Sequence, residues 1–172
     1  YDASLFRKEG SIMYYDDDSV DTSIGIDVSN YQGDVDWGAV AADGIEFVFL
    51  RVGFRGYTEG TLNMDHRFLQ NVEGAAEAGL KVGVYFFSTA TSEEEAIQEA
   101  EFVLDAIEGY DIDYPVVFDW EANSSSYRNY GLDTQTLTDA AIAFCERVKE
   151  EGYTPMIYFN LPTGYLRYDL SQ

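Results

Sequence analysis

The sequence predicts an α/β fold of the (β/α) barrel type, and three observations carry that prediction. From residue 24 onward, short apolar runs of β-forming residues alternate five times with helical patterns. Those runs are apolar on both faces, as the strands of a parallel sheet covered by helices must be. The stretch after the first run, DVSNYQGDVDW, lacks the glycine-rich phosphate loop of a dinucleotide-binding open sheet, so a barrel is favoured over the doubly wound alternative.

Taken in order, residues 1–23 carry an acidic cluster at Asp16, Asp17 and Asp18 without sustained periodicity and read as a leader or linker, in which Ile12 to Tyr15 can add a strand. The domain proper is expected over residues 24–172. Its first unit is GIDVS followed by VDWGAVAA, its second FVFLRVGF followed by HRFLQNVEGAAEA, and its third KVGVYFFS followed by EEEAIQEAEFVLDAI. PVVFDWE with TLTDAAIAFCERVKE makes the fourth, and PMIYFN with a short tail the fifth. Ser92 before Glu93, Glu94 and Glu95 reads as an N-cap with acids at the positive end of the helix dipole. Gly44, Gly79, Gly109 and Gly152 fall where helices should stop.

With 46% apolar and 16% aromatic residues, the chain is too rich in core-forming side chains to be disordered. Ten basic against 32 acidic residues give a net charge of -22, which repels phosphate backbones and excludes nucleic acid as a partner. Cys145 is the sole cysteine and reads as a core residue, so neither an internal disulfide nor Cys-His zinc chemistry is available. No apolar run approaches the roughly 20 residues of a membrane span. A serine or cysteine nucleophile would have to use the lone histidine, His66, which reads as a surface residue at a helix start.

In either parallel architecture, functional side chains gather at the C-terminal ends of the strands. Here those ends carry Asp27 and Ser29, Arg51 and Arg55, Tyr85 and Ser88, Asp119 and Glu121, and Tyr158 and Asn160. Acids and aromatics on one rim suit a neutral polar ligand with apolar faces, a description that fits a sugar. The motif VVFDWEAN places Asp119 and Glu121 at i and i+2, so they share a face while Trp120 points the other way. Two carboxylates this close in a partly dry cleft push their pKa values apart, leaving one protonated and one charged. That is the requirement of glycosidic hydrolysis. Two other readings stay open for D-x-E alone: solvated acids at a strand end, or hard oxygen ligands for a divalent cation together with Asp27. Arg51, inside a strand, reads first as an ion-pair partner of one of these acids and second as a substrate ligand, and Asp27 is equally able to cap the following turn.

GIDVSNYQGDVDW (25–37), FVFLRVGFR (47–55), AGLKVGVYFFSTA (78–90) and YPVVFDWE (114–121) together, in this order and spacing, resemble the glycoside hydrolase family 25 lysozymes, the N,O-diacetylmuramidases. The resemblance covers residues 24 to about 160. It implies cleavage of the β-1,4 bond between N-acetylmuramic acid and N-acetylglucosamine in bacterial peptidoglycan, on a modified barrel, with no metal or cofactor. By position, Glu121 would be the general acid, Asp119 its partner carboxylate and Asp27 a third acid, with Tyr85, Tyr158, Gln32 and Arg51 around the substrate. The resemblance favours substrate assistance by the sugar's 2-acetamido group. It also implies an extracellular or cell-surface setting, a monomer unless another chain supplies strands, and further strands closing the barrel beyond the fifth, so that this chain carries an incomplete barrel. A glycan-binding module without turnover is the competing function.

Overall fold

The structure, a computed structural model, describes residues 2–10 and 12–172; of the expected leader, Tyr1 and Ser11 lie outside the described residues. The leader is not featureless. β1 (Phe6–Glu9) and β2 (Ile12–Tyr15) pair antiparallel as a two-stranded sheet, closed by bonds from Arg7 to Asp16 and by Phe6 packing on Tyr15 at 5.0 Å.

The five expected βα units are all present. They are β3 (Gly25–Val28) with α1 (Trp37–Ala42), and β4 (Phe47–Arg55) with the short β5 (Leu62–Met64) and α2 (Phe68–Glu77). Then follow β6 (Lys81–Ser88) with α3 (Glu93–Ile107), β7 (Val116–Trp120) with α4 (Thr134–Glu150), and β8 (Pro155–Tyr158) with α5 (Leu161–Arg167). Sheet order is β3-β4-β6-β7-β8, all parallel, while β5 adds antiparallel to the far end of β4. A doubly wound sheet reverses direction at a switch point; this one never does, which is the winding of a barrel. Among the described residues β3 pairs only with β4 and β8 only with β7 within the path, so the barrel is not closed.

One face of the three central strands, β4, β6 and β7, is fully buried against helices. Val48, Leu50, Val52, Val82, Val84, Phe86, Val116, Phe118 and Trp120 face Phe68, Val72 and Ala75 of α2, Ala96, Ala100, Val103 and Ile107 of α3, and Leu137, Ala140, Ala141 and Phe144 of α4. The alanines on these helices let the backbone approach the sheet closely. Ser92 caps α3 by accepting from the Glu95 amide, and Gly79 and Gly152 turn the chain after α2 and α4 at φ +77° and +87°, where side chains other than glycine are strained. Cys145 is half-buried on α4, packed against the core, and burial pushes its thiol up to about 11.

The opposite, concave face carries the alternate residues: Phe49, Tyr85, Val117, Asp119, Met156 and Tyr158. Gly83 is required on it, because a Cβ there would run into the Phe49 ring and stand 2.9 Å from the Tyr114 Cβ. A bulge in β4 between Arg51 and Gly53 shifts the alternation. Before it Arg51 lies on the concave face; after it Arg55 points to the helices, where its guanidinium bonds Glu99 of α3 at 2.6 Å.

Candidate active site

The concave face opens at the C-terminal ends of the strands into a pocket of about 370 Å³ lined by Asp27, Phe49, Tyr85, Val117, Asp119, Glu121, Met156 and Tyr158. Register explains the grouping. Arg51, Tyr85, Val117 and Met156 form one row across the sheet, and Phe54, Phe87, Asp119 and Tyr158 the next. Glu121 stands one step beyond the end of β7, on the same side as Asp119.

Asp27 does not cap the turn after β3. Ser29 does that work: its hydroxyl accepts from the Tyr31 amide and its own amide donates to Gln32 Oε1 at 2.8 Å, a capping box. The Asp27 carboxylate is thereby left to the pocket. The same bonds occupy Gln32, expected near the substrate, in holding the turn, and its side chain is not among the pocket lining.

Arg51 is 7% exposed and pairs with Asp65 at 2.9 Å, not with one of the strand-end acids as the sequence suggested. It also donates to Asn30 Oδ1 and lies between the rings of Tyr31 and Phe54, 5.1 and 5.6 Å from their centres. Asp65 had no periodic mark in the sequence, yet it accepts from Arg51, from the Asn30 amide and from the Arg67 amide, tying β4, the turn after β3 and the start of α2 together. Arg51 therefore acts on the pocket from its wall, as a fixed positive charge.

Asp119 is the perturbed carboxyl. Burial, then the charges of Glu121 and Asp27, push it up to about 7 against a smaller downward pull from Arg51. Its Oδ1 atom is buried without a hydrogen-bond partner among the described residues. The Asp119 carboxyl therefore keeps its proton to a higher pH than an ordinary aspartate does. Burial raises the Tyr85 phenol, with Arg51 pulling it down and the Asp27 and Asp119 charges adding to the rise; burial and the three site acids also raise Tyr158. Both tyrosines stay neutral and can donate to a sugar hydroxyl or carbonyl. Among the described residues no group of three or more His, Cys, Asp or Glu is set to hold a metal ion.

Behind the pocket, the segment after β7 is anchored at several points. Arg128 grips both carboxylate oxygens of Glu95 at 2.7 Å and donates to the Thr89 carbonyl, while its amide donates to the Tyr57 carbonyl. Burial opposes the charge on Glu95, but the Arg128 guanidinium and the Thr91 amide and hydroxyl outweigh it and hold the carboxyl at about 2. Glu99, fully buried, is pushed up to about 7 by burial, with Ser88 and Arg55 holding it down.

These groups act on stability with opposite signs. Asp119 and Glu99 have folded values above their unfolded ones, so the stability they confer is full below about pH 4 and is lost as pH rises through about 7. Glu95 has a lowered value, so its contribution is present above about pH 4.5 and lost as pH falls toward 2. Unfolding is expected at the highest temperature near pH 5 and about 5–10 °C lower at pH 8, taking roughly 2–4 kcal/mol for the Asp119 proton. Scanning calorimetry of the wild type and Asp119→Asn tests this. Asparagine does not titrate, so the gap between the two pH values should narrow; an unchanged gap would remove Asp119 as its source.

Carboxyls in unlike surroundings at the C-terminal rim of a singly wound parallel sheet are the arrangement that a glycoside hydrolase of the barrel class requires. The chain belongs to the glycosyl hydrolases family 25, whose profile matches residues 26–165. It is 32% identical over 149 residues to Lysozyme M1 of Streptomyces globisporus, covering 81% of this chain and 49% of that protein. To the N,O-diacetylmuramidase of Arthroderma benhamiae it is 30% identical over 138 residues, covering 78% of this chain and 56% of that one. The solved bacterial lysozyme of Streptomyces coelicolor superposes with a TM-score of 0.64 at 29% identity, over 80% of this chain and 63% of that chain. The chain spans about half the length of the curated relatives described.

Proposed function

We propose that this chain carries the catalytic face of a muramidase that hydrolyses the β-1,4 bond between N-acetylmuramic acid and N-acetylglucosamine in peptidoglycan, with residues 24–172 as the catalytic unit. The observation that carries the reading is the convergence of Asp27, Asp119 and Glu121 on one pocket beside Tyr85 and Tyr158, where burial and the neighbouring acids raise the Asp119 carboxyl. The names of the relatives support the same substrate class. Extracellular action follows from that substrate. No described helix is long and apolar enough to cross a membrane.

In this reading the 2-acetamido group of the N-acetylmuramic acid attacks its own anomeric carbon. The carbonyl oxygen forms a bond to C1 as the C1–O bond to the next sugar breaks. Asp119 receives the acetamido N–H and offsets the positive charge that grows on the group; a donor arriving there favours the carboxylate form. The proton that Asp119 gives up is then available to Glu121, which delivers it to the departing oxygen. Glu121, now charged, takes a proton from the water that opens the cyclic intermediate. In this reading Tyr85 and Tyr158, which line the pocket, hold the sugar, while Arg51 and Gln32 contribute through the wall they build.

Clearing of a peptidoglycan suspension tests the reading, with wall binding measured in parallel. Hydrolysis with release of reducing ends is expected; binding without clearing would overturn it in favour of a glycan-binding module. The rate from pH 4 to 8 gives a second expected result. Since the reaction needs the proton that the resting site keeps on Asp119, the rate should fall as pH rises through about 7. A rate still rising at pH 8 would contradict that assignment.

A further inference from the structure

Asn129 belongs to no motif and lies eight residues beyond Glu121, in the segment between β7 and α4. Its side chain is wholly buried. The Nδ2 group donates to the Glu121 main-chain carbonyl at 2.9 Å, while Oδ1 is buried with no partner among the described residues. For stability this is a poor use of a buried position, because an unsatisfied carbonyl oxygen costs about as much as the single hydrogen bond contributes. An apolar residue of similar size would serve the core as well. What the amide provides is a fixed location for the backbone of residue 121, which lies just past the end of β7 and so beyond the pairing of that strand with β6 and β8.

The neighbours of Asn129 keep that contact in place. Tyr127 stacks on Tyr57 at 4.5 Å, the Arg128 amide donates to the Tyr57 carbonyl, and the Arg128 guanidinium is clamped by Glu95 and the Thr89 carbonyl. On the far side Arg167 donates to the Leu132 carbonyl at 2.5 Å. The segment is pinned to α3, to the β4 loop and to α5, and through Asn129 it pins Glu121. The Glu121 carboxylate itself accepts from Asn123 Nδ2 at 2.5 Å, so both ends of the residue are held.

We propose that Asn129 is a positioning residue for Glu121: its amide sets where the carboxyl that protonates the departing oxygen stands. This rests on the muramidase reading above. Asn129→Ala should lower kcat about 10- to 100-fold with KM little changed, because a displaced acid loses stabilisation made only in the transition state. The thermal unfolding midpoint should fall by a few degrees, since truncation leaves a cavity and takes the donor from the Glu121 carbonyl, so the distinguishing readout is the dependence on the leaving group. Asn129→Ser, which keeps a shorter donor, should fall between the two.

Aryl glycosides of the same sugar with leaving phenols of graded acidity separate positioning from general loosening. The wild-type rate should depend weakly on phenol acidity. The kcat/KM of Asn129→Ala, which reports cleavage of the glycosidic bond and not the later attack by water, should depend steeply on it and approach the wild type for the most acidic phenol, which needs no proton. A loss equal across all phenols, or a kcat within about twofold of wild type on the wall polymer, would overturn the proposal. If the wild type cleaves neither the polymer nor the glycosides, the muramidase reading fails and this one with it. Failure confined to the phenol series leaves the muramidase reading standing and rejects Asn129 alone.

Discussion

Glu121→Gln is expected to cut peptidoglycan cleavage by at least about 100-fold while the protein folds as before. Glutamine has the same shape and keeps an oxygen that can accept from Asn123, and the main-chain carbonyl that Asn129 holds is untouched. What is lost is the ability to carry a proton to the leaving oxygen and to take one from water. A general acid of this kind contributes about 10²- to 10⁴-fold, so the effect is far outside assay scatter. The variant also has a readout independent of turnover. The charge of Glu121 is the second cause, after burial, of the raised Asp119 value, and removing it should lower that value. The loss of stability between pH 5 and pH 8 should then become smaller in Glu121→Gln than in the wild type. Cleavage within threefold of wild type would rule Glu121 out as the acid.

The sequence showed the five βα units because each strand is apolar on both faces and each helix is punctuated by a cap or a glycine. It was silent where structure depends on partners far away. β5 exists because β4 runs on beyond β3 and offers it Gly53 to Arg55, and LNM alone carries no strand signal. Of the β1–β2 pair the sequence marked Ile12 to Tyr15 as a run able to form a strand, but carried no sign of its partner Phe6–Glu9, which is held by that pairing and by Arg7 with Asp16. α5 was legible in principle: Asn160 caps it and Pro162 opens it. At the site, alternation placed Asp119 and Glu121 together, and applied to the neighbouring strands it also places Phe49 and Val117. Ser29 and Gln32 spell a capping box, which already assigns Gln32 to the turn. Asp65 and Asn129 could not be reached this way, since each acts across a long separation from an irregular segment. That difference is general: periodic elements announce which face they bury, whereas the residues that fix a site from loops are defined only by what they meet.

Arg55→Met is expected to be the most destabilising single change in the molecule outside the apolar core. Arg55 is 3% exposed and Glu99 fully buried, and the pair meets at 2.6 Å. The guanidinium also satisfies the Gly60 and Glu95 carbonyls, each at 2.8 Å. Methionine fills much of the volume but leaves the Glu99 carboxylate and two carbonyls without their donor, a defect that costs about 3–5 kcal/mol in buried pairs. Glu99 can escape part of this by staying protonated, and without Arg55 its already raised value should rise further. The cost should accordingly be larger at pH 8 than at pH 5, the direction set by a carboxyl whose folded value lies above its unfolded one. Arg55→Met with Glu99→Leu removes both charges and should recover most of the loss, giving a coupling of about 1–3 kcal/mol in a double-mutant cycle. Urea unfolding of the four proteins at both pH values provides the test. If the double variant is as unstable as the sum of the singles, Arg55 stabilises through its carbonyl contacts and the ion pair is incidental.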